Sequence, residues 1–396
     1  MKKKTKGSGP AAWLRENKWT CIVLAAALAV LLAARLLAAP VPVQSDEPEN
    51  RADYESASVD QILSDSTEKD PASDNGYRGE QLLLVTVRSG DYKGQQMQVY
   101  NYVGPLYGGP LKVGDRATVL ISTYSDGTVN ATVYEFDRLL PLCIVLVLFI
   151  AAAVAVGGRT GVKSLVALAV TLVCLFSVLL PSLMKGANTL LMTFIVCAYV
   201  AVVSLTIVGG VRKKTVCAML GAVAGTALAL LFGLLAQGLT RIDGLRIDDV
   251  EPLLQLRQTG TPIGLRGLLV GGIVISALGA VMDVTMGIAS SLSEVHAANP
   301  ELSRRELFRS GMNIGRDMVG TMTNTLILAF LGSGFTLILY LYSLGLSPRQ
   351  LLSSAYVSLE VVSGVASSVG VILSIPLTAL ITAEVFTREK KSGKSA

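Results

Sequence analysis

Charge is scarce in this 396-residue chain: Asp, Glu, Lys and Arg together make up 16% of it. Histidine occurs once, at His296 in a polar stretch, so a zinc site built on imidazole has no second ligand of its kind. Cysteine occurs five times, at Cys21, Cys143, Cys174, Cys197 and Cys217, never as a CxxC pair and always in or beside an apolar block. Thiols in that setting behave as small apolar side chains, which excludes a disulfide scaffold and a thiolate metal centre. No GxxxxGK[ST], GxSxG or HExxH pattern is present, and neither Asp283 nor Asp317 sits in a GxGD context. P-loop, serine-hydrolase, zinc-protease and paired-carboxylate protease chemistry therefore all lack their residues. The expectation is a protein that is not an enzyme, with no cofactor and no metal.

What the chain has instead is apolar residues, 51% of the total, arranged in blocks of about twenty, the length that crosses a bilayer core. Lipid is the partner this pattern implies. The net charge of +5 is no nucleic-acid footprint, because Lys and Arg cluster at the ends of the apolar blocks. The chain opens with a basic stretch over residues 1–19, followed by an apolar run, 20–39, ending LLAAP. That run is longer than a signal-peptide core and lacks its small-x-small ending, so it reads as a retained anchor. Residues 40–76 are acidic and poor in large apolar side chains, the composition of a flexible linker. Residues 77–137 turn to β-branched segments, EQLLLVTVR, QQMQVYNYV, DRATVLIS and VNATVYEF, separated by SGDYKG, GPLYGG, KVGD and SDGT. This predicts a small all-β domain inserted after the first helix.

Seven further apolar blocks fill 138–387, at roughly 139–156, 164–183, 188–208, 215–237, 267–288, 317–342 and 361–386, and a basic tail, 388–396, closes the chain. With the anchor this predicts an α-helical polytopic membrane protein of about eight transmembrane helices. The two termini and three alternate connections hold 18 of the 34 Lys and Arg, while the opposite short loops hold six. The positive-inside rule then puts both termini in the cytoplasm and the β domain outside. Gly221 and Gly225 form a GxxxG, and Gly272, Ser276 and Ala280 a second small-residue stripe, spacings that let helix backbones approach.

Polar residues interrupt three of these blocks, the last with Glu360 near its outer end and Pro376 further along. Asp283 lies well inside GLLVGGIVISALGAVMDVTMGIASSLSEV. In GRDMVGTMTNTLILAFLG, Asp317, Thr321 and Asn324 share one helix face, with Arg316 as the nearby cation. Inward counting places Asp283 at a similar depth, so Asp283, Arg316, Asp317, Thr321 and Asn324 are the candidate intramembrane polar cluster, expected to face protein or a water-filled cavity while LILAFL meets lipid. Ionisable groups in lipid mark ion or substrate paths, and carboxylate, amide and hydroxyl oxygens suit a hard cation or a proton relay. The function expected is a transporter or ion-coupled permease for a small ion or solute. The alternative is a non-transporting scaffold or sensor, in which the cluster is interhelical hydrogen-bonding glue and the extracytoplasmic β domain binds a partner of unspecified kind.

GAVMDVTMGIASSLSEV, the run NPELSRRELFRSGMNIGRDMVGTMTNTLILAFLG and the closing SIPLTALI resemble the YibE/F-like family of bacterial multi-pass membrane proteins, over residues from about 80 to the end. The resemblance implies a bacterial cytoplasmic-membrane protein with a small extracytoplasmic region before its membrane domain. It carries over no ligand or catalytic residue.

Overall fold

The computed structural model describes residues 51–73, 76–124, 127–242, 251–258, 260, 262–265 and 267–392. The basic terminus 1–19, the anchor 20–39, linker residues 40–50 and tail residues 393–396 lie outside the described residues. The described chain separates into two compact units, one through Ala152 and one from Ala153.

The first unit is a closed β barrel. Its strands are β1 (Arg51–Asp65), β2 (Glu68–Lys69), β3 (Tyr77–Val87), β4 (Gln96–Val103), β5 (Arg116–Thr123) and β6 (Val129–Phe136). The order β1-β5-β6-β4-β3 is closed by a second pairing of β1 with β3, and β2 adds a short edge to β3. All pairings are antiparallel except β4 with β6, which meet in parallel at Tyr100 and Thr132. Alternation does the sorting, since successive side chains point to opposite faces: Leu83, Val85 and Val87 point inward from β3, and Ala117, Val119 and Ile121 from β5.

The linker expectation fails for residues 51–69, which are strand. β1 is acidic and short of large apolar residues, yet closing a barrel asks only for backbone pairing and small inward side chains, here Ala57 and Val59. Asp53, Glu55 and Asp60 stay off the core, and irregularities between Val59 and Gln61 and between Ile62 and Ser64 let one long strand reach both neighbours. At its far end the buried Gln81 is fully engaged: its Nε2 donates to Asp65 Oδ2 (2.9 Å), and its Oε1 accepts from Asn101 Nδ2 and from the Leu111 amide, each at 2.9 Å. The Asp65 carboxyl is held below its usual value of 3.8, first by the Thr67 hydroxyl and then by Gln81. A depressed carboxyl contributes stability above its unfolded pKa and loses it as pH falls through the folded one. Asp65→Asn in a 51–137 fragment should therefore lower the melting temperature at pH 7, with the difference closing below about pH 3.8; a difference that persists in acid would mean that the ionised carboxylate is not what matters. Limited proteolysis of a longer fragment should spare residues 51–69 along with 77–137.

In the second unit the expected number of spans is not met. Among the described residues five helices are long and apolar enough to cross a membrane, or six if one bent pair counts as a single span. The blocks 139–156 and 164–183 follow one another without a loop as α1 (Leu139–Cys174), two helical stretches that meet at a kink, and α1 continues through a π turn into α2 (Leu180–Met184). The seven residues GGRTGVK between those blocks form no loop. The chain turns at Gly158 alone, at φ 52 and ψ −130, a conformation open to glycine. α3 (Thr189–Gly209), α4 (Lys213–Thr240), the short α5 (Glu251–Gln258) and α6 (Leu268–Ala298) follow. The block 317–342 is not one helix: α7 (Arg304–Ser333) ends in Gly-Ser-Gly, and α8 (Phe335–Ser343) departs from it at 62°. After α9 (Pro348–Ser353), α10 (Ala355–Ser392) runs unbroken through Pro376.

Small residues set the packing of this unit. Along α4 and α10, Cys217 meets Thr382, Gly221 meets Thr378, Gly225 meets Ser374 and Ala229 meets Gly370. Each step is four residues up one helix and four down the other, the register of two antiparallel helices in close contact. Ser276 of the expected second stripe bonds Ser367 of α10 at 2.9 Å, whereas Gly272 faces open space. The sequence Ser-x-x-Glu starts α7 as a capping box: the Glu306 amide donates to Ser303 Oγ and the Ser303 amide to Glu306 Oε2. Glu384 of α10 pairs with Arg304 (2.6 Å) and Arg388 (2.7 Å), tying the start of α7 to the end of α10.

Candidate functional site

Asp283 is the sixteenth of the 31 residues of α6, the midpoint of an apolar helix. It is exposed to a cavity of about 420 Å³ formed by α1, α3 and α6. Helical spacing builds one wall, because Ile275, Leu278, Gly279, Met282, Asp283 and Met286 lie at steps of three and four on α6. Opposite, Thr171 of α1 and Ser204 of α3 bring hydroxyls to 3.4 Å of each other, and Ser164 adds a third. Among the described residues Asp283 is the sole charged residue of the lining. Beyond the cavity on the same face of α6, Ser290 accepts from Lys214 Nζ at 2.9 Å. The arrangement is one carboxylate among apolar walls, with a few hydroxyls as neutral donors or acceptors. It can hold a cationic group against Asp283 and seat an uncharged remainder on the walls.

The rest of the expected cluster is elsewhere. No α7 residue lines this cavity. α7 buries Leu307, Gly311 and Gly315, at steps of four. Gly311 lies against Leu292 and Ala379, and Gly315 against Ile288 and Ile375. Two residues from Gly315 is more than half a helical turn, so Arg316, Asp317, Thr321 and Asn324 are exposed. Arg316 Nη1 donates to Asn313 Oδ1 at 3.4 Å, and Thr321 Oγ1 donates to the Met318 carbonyl at 3.1 Å. Among the described residues none of these four bonds to Asp283. Pairing Gly311 with Leu292 and Gly315 with Ile288 puts Thr321 about level with Asp283 along the two helices. The buried face is not the expected one. Glycine decides it, because Gly311 and Gly315 are a GxxxG that brings that side of α7 onto α6 and α10. A second carboxylate, Glu360 of α10, lies against Gly334 at the α7–α8 bend and lines a smaller cavity of about 100 Å³ with Phe330 and Gly364.

The sequence model described as YibE/F-like protein matches residues 145–388, from within α1 nearly to the end of α10. That is more than half of the chain. The chain belongs to the YibE/F-like family. The match covers the cavity and both carboxylates and leaves out the β barrel. With five apolar helices it marks this YibE/F-like chain as a membrane protein. No curated protein and no solved structure matches the chain.

Thr171 and Ser204 carried no signal in the sequence: each is a lone hydroxyl in an apolar block, the common form of a residue bonding back to its own helix, as Thr171 also does to the Ala167 carbonyl at 3.0 Å.

Proposed function

We propose that this YibE/F-like protein moves a small cation or cationic solute across a bacterial cytoplasmic membrane, and that Asp283 is the group that binds it. The observation that carries this reading is a single carboxylate at the midpoint of an apolar helix, opening on a cavity between three helices, with no cationic side chain in the lining among the described residues. An ionisable group within a membrane-spanning helix is costly and is kept where an ion or substrate uses it. A ligand that binds the folded state raises its stability by mass action. Metal cations, polyamines and quaternary ammonium compounds should be screened for a rise in the melting temperature of purified protein in lipid nanodiscs. A compound that stabilises the wild-type chain and leaves Asp283→Asn unmoved supports the reading; equal stabilisation of both chains by every active compound counts against it.

We place both termini in the cytoplasm and the barrel outside, on the asymmetry of Lys and Arg between the two sets of connections. An impermeant maleimide applied to intact cells should label Ser58→Cys and spare Ser392→Cys; the reverse pattern would invert the topology. The chemistry is binding and release, with no bond made or broken.

A second reading, a scaffold or sensor, draws on the barrel. Tyr100 and Tyr102 of β4 are exposed with their rings 6.4 Å apart and nearly parallel, and Tyr107 lies 6.3 Å from Tyr102. Exposed aromatic rings of that kind serve partner recognition. This reading predicts that Tyr100→Ala with Tyr102→Ala abolishes the cellular phenotype while Asp283→Asn keeps it.

A further inference from the structure

The exposed side of α7 is polar where lipid should be. Asn313, Arg316, Asp317, Gly320, Thr321 and Asn324 recur at helical spacing along it, and all six are exposed. The contacts of Gly311 and Gly315 with α6 fix the depth: Thr321 is about level with Asp283 and Asn324 with Gly279, both in the apolar part of α6. Lipid offers no hydrogen-bond partner at that depth. Asp317 and Asn324 make no hydrogen bond among the described residues, and the one bond from Arg316 stays within α7.

We propose that this stripe is a twofold interface with a second copy of the chain. Two copies in one membrane share orientation, so an axis along the membrane normal sets each residue opposite itself or its neighbour. Arg316 then faces the Asp317 of the second copy and the reverse, so the charges of the stripe are complementary to themselves. Asn324 meets Asn324, and an amide can both donate to and accept from another amide. Gly320 sits between these groups, and a Cβ built there meets nothing within 4 Å. That is the open, small position at which two helices approach closely. Segments of the same chain are poorer occupants: the apolar runs 20–39 and 139–156 contain no carboxylate and no amide to answer Arg316 or Asn324.

Cysteine cross-linking tests this on the full chain. With the five native cysteines changed to alanine, Asn324→Cys in native membranes should form a disulfide-linked dimer on copper-catalysed oxidation. Leu220→Cys, on the exposed side of α4, should not. Adding Gly320→Leu should abolish the dimer without lowering the melting temperature of the protomer, because the position is open in a single chain. The unmodified protein in mild detergent should scatter light as twice 41.6 kDa, which keeps the test alive if the cysteine-free chain fails to fold. Absence of an Asn324→Cys dimer in membranes would overturn the proposal, as would an equal yield from Leu220→Cys or a dimer indifferent to Gly320→Leu. Restoring Cys21 and finding Asn324→Cys bonded to it within one chain would give the stripe to the anchor and overturn the dimer as well.

Discussion

Gly225→Val is expected to leave little folded protein. A Cβ at Gly225 would lie 2.6 Å from the Ser374 Cβ and 2.9 Å from the Val281 Cγ1, and one at Gly221 would lie 2.1 Å from the Thr378 Oγ1. Gly225 thus meets two helices at once, α10 and α6. Neither can yield, since Val281 is fully buried and Ser374 is held by its bond to the Val371 carbonyl at 2.7 Å. Overpacking a core of this density costs about 1–3 kcal/mol for one inserted group. Here the valine would also force apart helices that touch at four consecutive levels. Expression should fall sharply and the surviving protein should melt at a markedly lower temperature, read by circular dichroism or light scattering in detergent. Gly272→Ala is the internal control: its Cβ meets nothing within 4 Å, and its melting temperature should match the wild type. A Gly225→Val protein as stable as Gly272→Ala would mean that α4 and α10 do not pack in this register.

Those two glycines also show what a sequence can and cannot disclose. Both belong to small-residue stripes of the same apparent quality, and only one stripe is packed at its glycine. Spacing says that a face permits close approach; it does not say whether another helix arrives there. The same gap misdirected the reading of α7. The polar face looked like the one to bury, but Gly311 and Gly315 brought the other face to α6 and α10, and the cluster opened out. The level of Thr321 beside Asp283 along the paired helices follows from residues per turn and rise per residue, which are properties of the helix alone. Which residues share a site depended on neighbours distant in the chain, as when Asp283 lines one cavity with Thr171 and Ser204 from two other helices. Number of spans failed for a related reason. Hydropathy marks apolar blocks, while Gly158 lets two blocks meet at a kink without a loop and the Gly-Ser-Gly of 332–334 divides one block into two helices. In the barrel, β3 to β6 were legible from alternation, and β1 was not, because a strand that closes a barrel with Ala57 and Val59 looks polar to any count of composition.

The other large effect is expected at Asp283. Asparagine keeps the size and the hydrogen-bonding capacity of the side chain and removes its charge, so the α-helix and the walls of the cavity stay as they are. A hydrogen bond to a charged group contributes about 1.5–3 kcal/mol, so a cationic solute held by the carboxylate should bind roughly tenfold to a hundredfold more weakly to the variant. If the residue instead serves only to hold helices together, the same change is close to neutral, since interhelical polar contacts in membranes average about 0.6 kcal/mol. The two accounts therefore differ most in flux and least in stability. The measurement is uptake of a stabilising cation or cationic solute into proteoliposomes containing the full chain, wild type beside Asp283→Asn, with the two proteins matched for melting temperature. The account predicts uptake by the wild type and a loss of at least about tenfold in the variant; undiminished uptake through Asp283→Asn would contradict it.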